Sequence, residues 1–158
     1  MRALAVLVCL SLAGAAHAQA VRRVGPAEAP IAAAVEVPAG TRTVYVSGNT
    51  PDVVDASAPA GGVARYGDTA AQTRSELAKI EKQLAALGMG LGDVVMMRVF
   101  LVAPPGAQRM DFAGMMSAYR EKFGTAAQPN KPARATMQVA GLVDPGWLVE
   151  IEVTAARK

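Results

Sequence analysis

Histidine and cysteine are nearly missing from this chain: its 158 residues contain one of each, His17 and Cys9, both within the first twenty positions. That segment, residues 1–20, reads as a secretory signal peptide. Arg2 is a minimal positive start, Ala3 to Ala15 is an apolar stretch broken by Ser11 and Gly14, and Ala16-His17-Ala18 and Ala18-Gln19-Ala20 are both small-x-small cleavage sites. The stretch is shorter than the roughly 20 residues a membrane span wants. Cys9 lies in its middle, away from any junction, which argues against lipid attachment. The expectation is a periplasmic or secreted protein, cut near Ala18 or Ala20, with no membrane attachment after cleavage. A mature chain cut there has neither histidine nor cysteine. That excludes a Ser-His-Asp triad, a cysteine nucleophile, a Cys/His zinc site and any disulfide.

Aromatic residues are also scarce, at 4%, and charged residues reach only 18%. The net charge is +3, or +2 without Arg2, and the basic residues are scattered. With neither a phosphate-tracking stripe nor a stacking platform, a nucleic-acid partner is not expected. Apolar residues make up 52% of the chain. About 140 residues of that composition can bury one core by packing alone.

No repeat or linker divides the mature chain. Residues 21–32 form a polar, Pro-containing arm, expected to be mobile, and residues 33–158 form the domain. Ala33 to Val37 and Thr43 to Gly48 alternate like two strands joined at Pro38-Ala39-Gly40. Asn49 to Gly67 is a long loop whose Asp52 and Asp55 read as solvated acids, since no further ligands lie near. Asp68 or Thr69 caps a helix that runs to Leu87 and stops at Gly88. Leu77, Ile80, Leu84 and Leu87 form its apolar stripe, with Glu76, Lys79, Glu81 and Lys82 facing elsewhere. Asp93 to Val102 is so continuously apolar that burial on both faces is expected, with Arg98 the exception. A second helix spans about Met110 to Phe123, and its stripe of Phe112, Met115, Met116, Tyr119 and Phe123 reads as core.

The chain ends in two strands, Ala133 to Val139 and Leu148 to Ala155, with turn chemistry at Asp144-Pro145-Gly146. They place an arginine, Arg134, and two carboxylates, Glu150 and Glu152, on what read as neighbouring strands. Glu150 and Glu152 share one face, being two residues apart. On the residues alone, Arg134 and Glu150 are either a functional pair or a structural ion pair at a subunit interface. Arg98 reads as a salt-bridge partner before an anion binder. The element order is β-β-α-β-α-β-β, an α+β fold with one mixed sheet and both helices on one face. The bare face then needs cover, which argues for oligomerisation.

Nearly all of the mature chain resembles the RidA (YjgF-like) family of enamine/imine deaminases. The resemblance is carried by Val44-Tyr45-Val46-Ser47-Gly48, by Gly88 through Asp93-Val94-Val95 with Val99-Phe100-Leu101, and by Phe112-Ala113 with Tyr119 and Phe123. It is strongest in Pro132-Ala133-Arg134-Ala135-Thr136, Val139-Ala140-Gly141-Leu142 and Val149-Glu150-Ile151-Glu152-Val153. It implies a chorismate-mutase-like α+β fold, a homotrimer, and sites in the clefts between subunits. It further implies that Arg134 binds the carboxylate of a 2-imino acid and that Glu150 handles the attacking water. Ser47, Gly48 and Thr136 then lie near the substrate, and the products are a 2-oxo acid and ammonia. No cofactor and no metal are implied.

Such chemistry suits a chain without histidine or cysteine. Guanidinium is a planar donor fork for a carboxylate and stays charged at working pH. Imine hydrolysis needs orientation, a proton and a placed water, with no covalent nucleophile. The chain departs from the family where a Gly-Pro-Tyr segment would supply a tyrosine, here Ala32-Ala33-Ala34, and where a helix asparagine would stand, here Met116. The Asn49 to Gly67 loop is also longer than usual. A non-catalytic trimeric module binding a small carboxylate is the alternative. A periplasmic chorismate mutase rests on fold analogy alone and wants more cations than Arg134 and Arg98. The lack of histidine and of a basic groove argues against the endoribonuclease role sometimes attached to the family.

Overall fold

In the computed structural model, which describes residues 20–158, a four-stranded mixed sheet carries two helices. The expected signal peptide lies outside the described residues save for Ala20, as do Cys9 and His17. Strands β1 (Arg22–Val24) and β2 (Ala34–Glu36) form a separate antiparallel ribbon. The main sheet contains β3 (Arg42–Asn49), β4 (Val94–Leu101), β5 (Ala133–Gln138) and β6 (Val149–Arg157), in the spatial order β3-β6-β4-β5. Helix α1 (Thr69–Ala86) precedes β4, and α2 (Phe112–Lys122) links β4 to β5, which run parallel. The result is α+β, as expected.

Helix boundaries follow local chemistry. The Asp68 carboxylate accepts from the Ala71 N–H at 2.8 Å, and the Asp111 carboxylate accepts from the Gly114 N–H at 2.8 Å, so each helix begins at a capped turn. Gly88, at φ +71°, ends α1 in the left-handed region that a side chain would resist. Alternation then decides the layers. In β4 and β6, Val95, Met97, Val99, Leu101, Val149, Ile151, Val153 and Ala155 are buried, and most of them join Leu77, Ile80, Leu84, Met115 and Tyr119 in one core. Both helices therefore cover a single face of the sheet.

Several strand expectations are corrected. The arm at residues 21–32 contains β1, hydrogen-bonded to β2, and Arg23 ties it down by donating to the Gly92 and Val94 carbonyls. Consequently β2 pairs with β1 rather than with β3, and an Ala32–Ala133 bridge sets the chain just before β2 beside β5. Strand β4 is buried on one face, not both: Arg98 is exposed, and Met96 and Phe100 are half-covered. The closing strands are not neighbours, because β4 lies between β5 and β6. On α1, Leu77, Ile80 and Leu84 are buried as expected, but Glu76 joins them at 0% exposure and Leu87 is 42% exposed. Phe112 on α2 is also at the surface, 44% exposed.

Candidate active site

Register places the two expected catalytic residues on opposite faces. In the parallel β4–β5 ladder Met97 pairs with Arg134 and Val99 with Thr136, so Arg134 and Thr136 share the helix-covered face. In the antiparallel β4–β6 ladder Phe100 pairs with Glu150 and Arg98 with Glu152, so both glutamates share the open face. One chain therefore does not bring Arg134 and Glu150 together, and each lies in its own candidate half-site.

The first half-site surrounds Arg134 at the β5 edge. Its guanidinium carbon lies 4.4 Å from the Tyr119 ring centroid and 5.9 Å from that of Phe112, and Nη2 is 3.1 Å from the Met116 sulfur. Burial lowers the arginine pKa and Arg120 lowers it further, while Tyr119 opposes them; a guanidinium stays charged regardless. Burial pushes the Tyr119 phenol up to about 12, so it remains neutral, and its hydroxyl donates to the Pro30 carbonyl at 3.0 Å. Buried Arg134 Nη1 and Thr136 Oγ1 have no hydrogen-bond partner within the chain. Two unpaired polar groups on one strand face, with a cation between aromatic rings, make a receptor for an anion.

The second half-site lies where β3 ends. Val46 pairs with Val153 and Asn49 with Ile151, so the ladder is interrupted at Ser47-Gly48. Both residues are exposed, and the Glu150 carboxyl folds over Gly48 so closely that a Cβ there would collide with it. Asn49 and Gln83 exchange amide bonds of 2.9 and 3.2 Å, which pins the bulge to α1. Lys79 adds a bond to the Thr50 carbonyl at 2.7 Å and an ion pair with Asp52 at 2.8 Å. Arg98 pairs with Glu152, the salt bridge expected of it in preference to anion binding. Asp55 accepts from Ser57, and among the described residues no three metal-ligating side chains converge.

The start of β6 is held from behind. Gln72 on α1 donates to the Gly67 and Gly146 carbonyls at 2.9 and 3.0 Å, and its Oε1 accepts from the Leu148 N–H at 2.7 Å. The long loop docks beside this anchor. Arg65 gathers the Ala56 and Ala58 carbonyls, and Tyr66 donates to Asp144 at 2.7 Å while meeting Trp147 edge-on. Glu76, one turn beyond Gln72, is the residue that sequence reasoning missed. Its spacing of four from both Gln72 and Ile80 was the available signal, since that places it on the buried stripe.

Comparison with known proteins bears on this arrangement. The endoribonuclease L-PSP family profile matches residues 26–157, nearly the whole described chain. The chain belongs to this family, the Rid/YjgF group. It is 34% identical over 115 residues to a RutC family protein, PH0854, of Pyrococcus horikoshii, covering 73% of this chain and 79% of that protein. The conserved Rid family protein YyfB of Yersinia pestis matches at a TM-score of 0.64 and 25% identity, over 85% of this chain and 97% of its own. TdcF of E. coli, solved with bound serine, matches at 0.56 and 26%, over 87% and 99%. Ala32 is buried against β5 while Ala33 and Ala34 are exposed, so this segment offers no phenol. The aromatics beside Arg134, Tyr119 and Phe112, come from α2.

Proposed function

We propose that this Rid-family protein hydrolyses 2-enamine and 2-imine acids to 2-oxo acids and ammonia, at clefts where the Arg134 half-site of one copy meets the Glu150 half-site of another. The observation that carries the reading is the pair of buried, unpartnered groups at Arg134 Nη1 and Thr136 Oγ1. A buried donor without a partner is costly, and a substrate carboxylate would satisfy both groups. The serine bound by TdcF has the same α-carboxylate next to nitrogen on carbon.

In this mechanism Arg134 grips the carboxylate and sets the imine carbon against Glu150. Glu150 takes a proton from water as the water oxygen bonds to the carbon of the protonated imine, giving a carbinolamine. Glu150 returns that proton to the amine nitrogen, and as the C–N bond breaks the hydroxyl proton passes back to Glu150, leaving ammonia and the 2-oxo acid. Holding the reactants in place supplies the entropic part of the acceleration. The open face, with Met96 and Phe100 half-covered and Tyr45 81% exposed, is the surface on which copies would meet as a homotrimer. A periplasmic or secreted location belongs to the same proposal and rests on the leader-like residues 1–20.

A coupled assay on 2-iminobutyrate or 2-iminopropionate, with Arg134→Ala as control, tests the reading. Turnover above the spontaneous rate that Arg134→Ala abolishes is expected. No turnover, with carboxylate binding retained, would leave the second reading, a module that binds a small carboxylate without converting it.

A further inference from the structure

One ionisable group takes no part in that chemistry and has no side-chain partner. Glu76 is 0% exposed, no close hydrogen bond satisfies either carboxyl oxygen, and the Ile151 N–H of β6 offers it only a weak one. It projects from α1, which packs along β6 and β3. Ile151 is the next residue after Glu150 and points to the helix side, so the backbone of β6 stands between the two carboxyls. An apolar residue would fill this slot without desolvating an acid.

The surroundings favour the neutral form. Burial first, and the nearby Glu150 carboxylate second, push the Glu76 pKa well above the ordinary 4.5, against smaller opposing effects from Lys79 and the Ile151 N–H. Lys79 is engaged with Asp52 and the Thr50 carbonyl, which limits what it can offer Glu76. Strand β3 presents Asn49, an amide already paired with Gln83. On α2, Glu121 and Lys122 pair with Arg74 and Glu81 at the surface, and Tyr119 is turned to Arg134. Asp93, before β4, faces Arg157. Glu150 is therefore the charge that matters to Glu76.

We propose that Glu76 is a positioning residue for the reaction, a neutral carboxyl behind β6 whose ionisation sets the alkaline limit of activity. The inference rests on the deaminase reading. While Glu76 is neutral, Glu150 is the lone negative charge at its half-site and can accept the proton of water. Once Glu76 ionises, a second negative charge in a poorly screened environment opposes the arriving substrate carboxylate. The fall should appear in kcat/KM through a raised KM.

The test is the pH profile of kcat/KM for 2-iminobutyrate from pH 6 to 10, corrected for spontaneous hydrolysis, in the wild type, Glu76→Gln and Glu76→Asp. A wild-type alkaline limb is expected, displaced upward by about one pH unit or more in Glu76→Gln and restored near its original place in Glu76→Asp. A merely structural Glu76 would lower the rate at every pH and leave the limb where it was, and that result overturns the proposal. In parallel, carbon-13 carboxyl titration of glutamate-labelled wild-type protein should show Glu76 titrating well above its ordinary value, with a lower midpoint in Glu150→Gln. A Glu76 that titrates near its ordinary value also overturns it. Absence of wild-type turnover at every pH refutes the deaminase reading, whereas turnover with an unmoved limb refutes the role of Glu76 alone.

Discussion

Replacing Gly48 by alanine should separate activity from stability. The added Cβ would fall inside contact distance of Glu150 Oε1 and 2.9 Å from its Cδ, and its nearest obstacles all belong to that one side chain. Glu150 ends a flexible chain at an open face, so the least costly response is a rotation of its carboxyl. Such a displacement costs about 0.5–1.5 kcal/mol, or a melting shift of roughly 2–4 °C per kcal/mol for a chain of this size. The same rotation removes the proposed base from the water it must deprotonate, a loss of roughly 10²- to 10⁴-fold, which is about 2.7–5.4 kcal/mol of barrier. Thermal melting and kcat on 2-iminobutyrate, measured on one preparation, read the two quantities. Gly48→Ala within about twofold of wild type, beside an inactive Glu150→Gln, would refute the placement of the carboxyl over Gly48. A melting loss above about 10 °C would mean that backbone, not Glu150, absorbs the methyl group.

Gln72→Leu should cost about 2–4 kcal/mol, because it strands the Gly67 and Gly146 carbonyls and the Leu148 N–H; denaturant unfolding that shows less than about 0.5 kcal/mol would sink that account. Arg134→Lys keeps the charge but loses the fork and the stacking on Tyr119. It should lower kcat/KM for 2-iminobutyrate by about tenfold or more with little change in melting, and equal rates would contradict the guanidinium grip. Stability should depend on pH through Glu76. Its pKa is raised on folding, so its favourable contribution is complete below about 4.5 and is lost as pH rises toward the folded value. The melting advantage of Glu76→Gln over wild type should therefore widen from pH 4 to pH 8, and a constant gap would exclude a raised pKa.

Local signals carried much of the fold. The caps at Asp68 and Asp111 and the stop at Gly88 lie within the chain's own nearest neighbours, so the helices begin and end almost where the side chains indicate. The methionines of α2 are core, as their spacing required. Continuous apolarity in β4 was a weaker signal, because it cannot distinguish a face buried by its own chain from one awaiting another copy. Glu76 was misplaced for a different reason: its charge was allowed to outweigh its position, although four-residue steps from Gln72 and to Ile80 put it inward.

The assignment of Arg134 and Glu150 to neighbouring strands failed because strand order is a long-range property. Ala133–Gln138 and Val149–Arg157 are consecutive and joined by turn residues, the usual mark of a hairpin, yet each is recruited by β4 instead. The insertion of β4 separates the half-sites sideways, and register then sends the arginine to the helix face while the glutamate stays on the open one. A direct Arg134–Glu150 ion pair within one chain is thereby ruled out. It would also have been poor chemistry, since each charge would have satisfied the other and left no grip for a substrate. Kept apart, Arg134 retains an unfilled donor, and Glu150 is not spent on pairing with it. Each is then available to what arrives from outside the chain, the condition that the proposed hydrolytic site between copies requires.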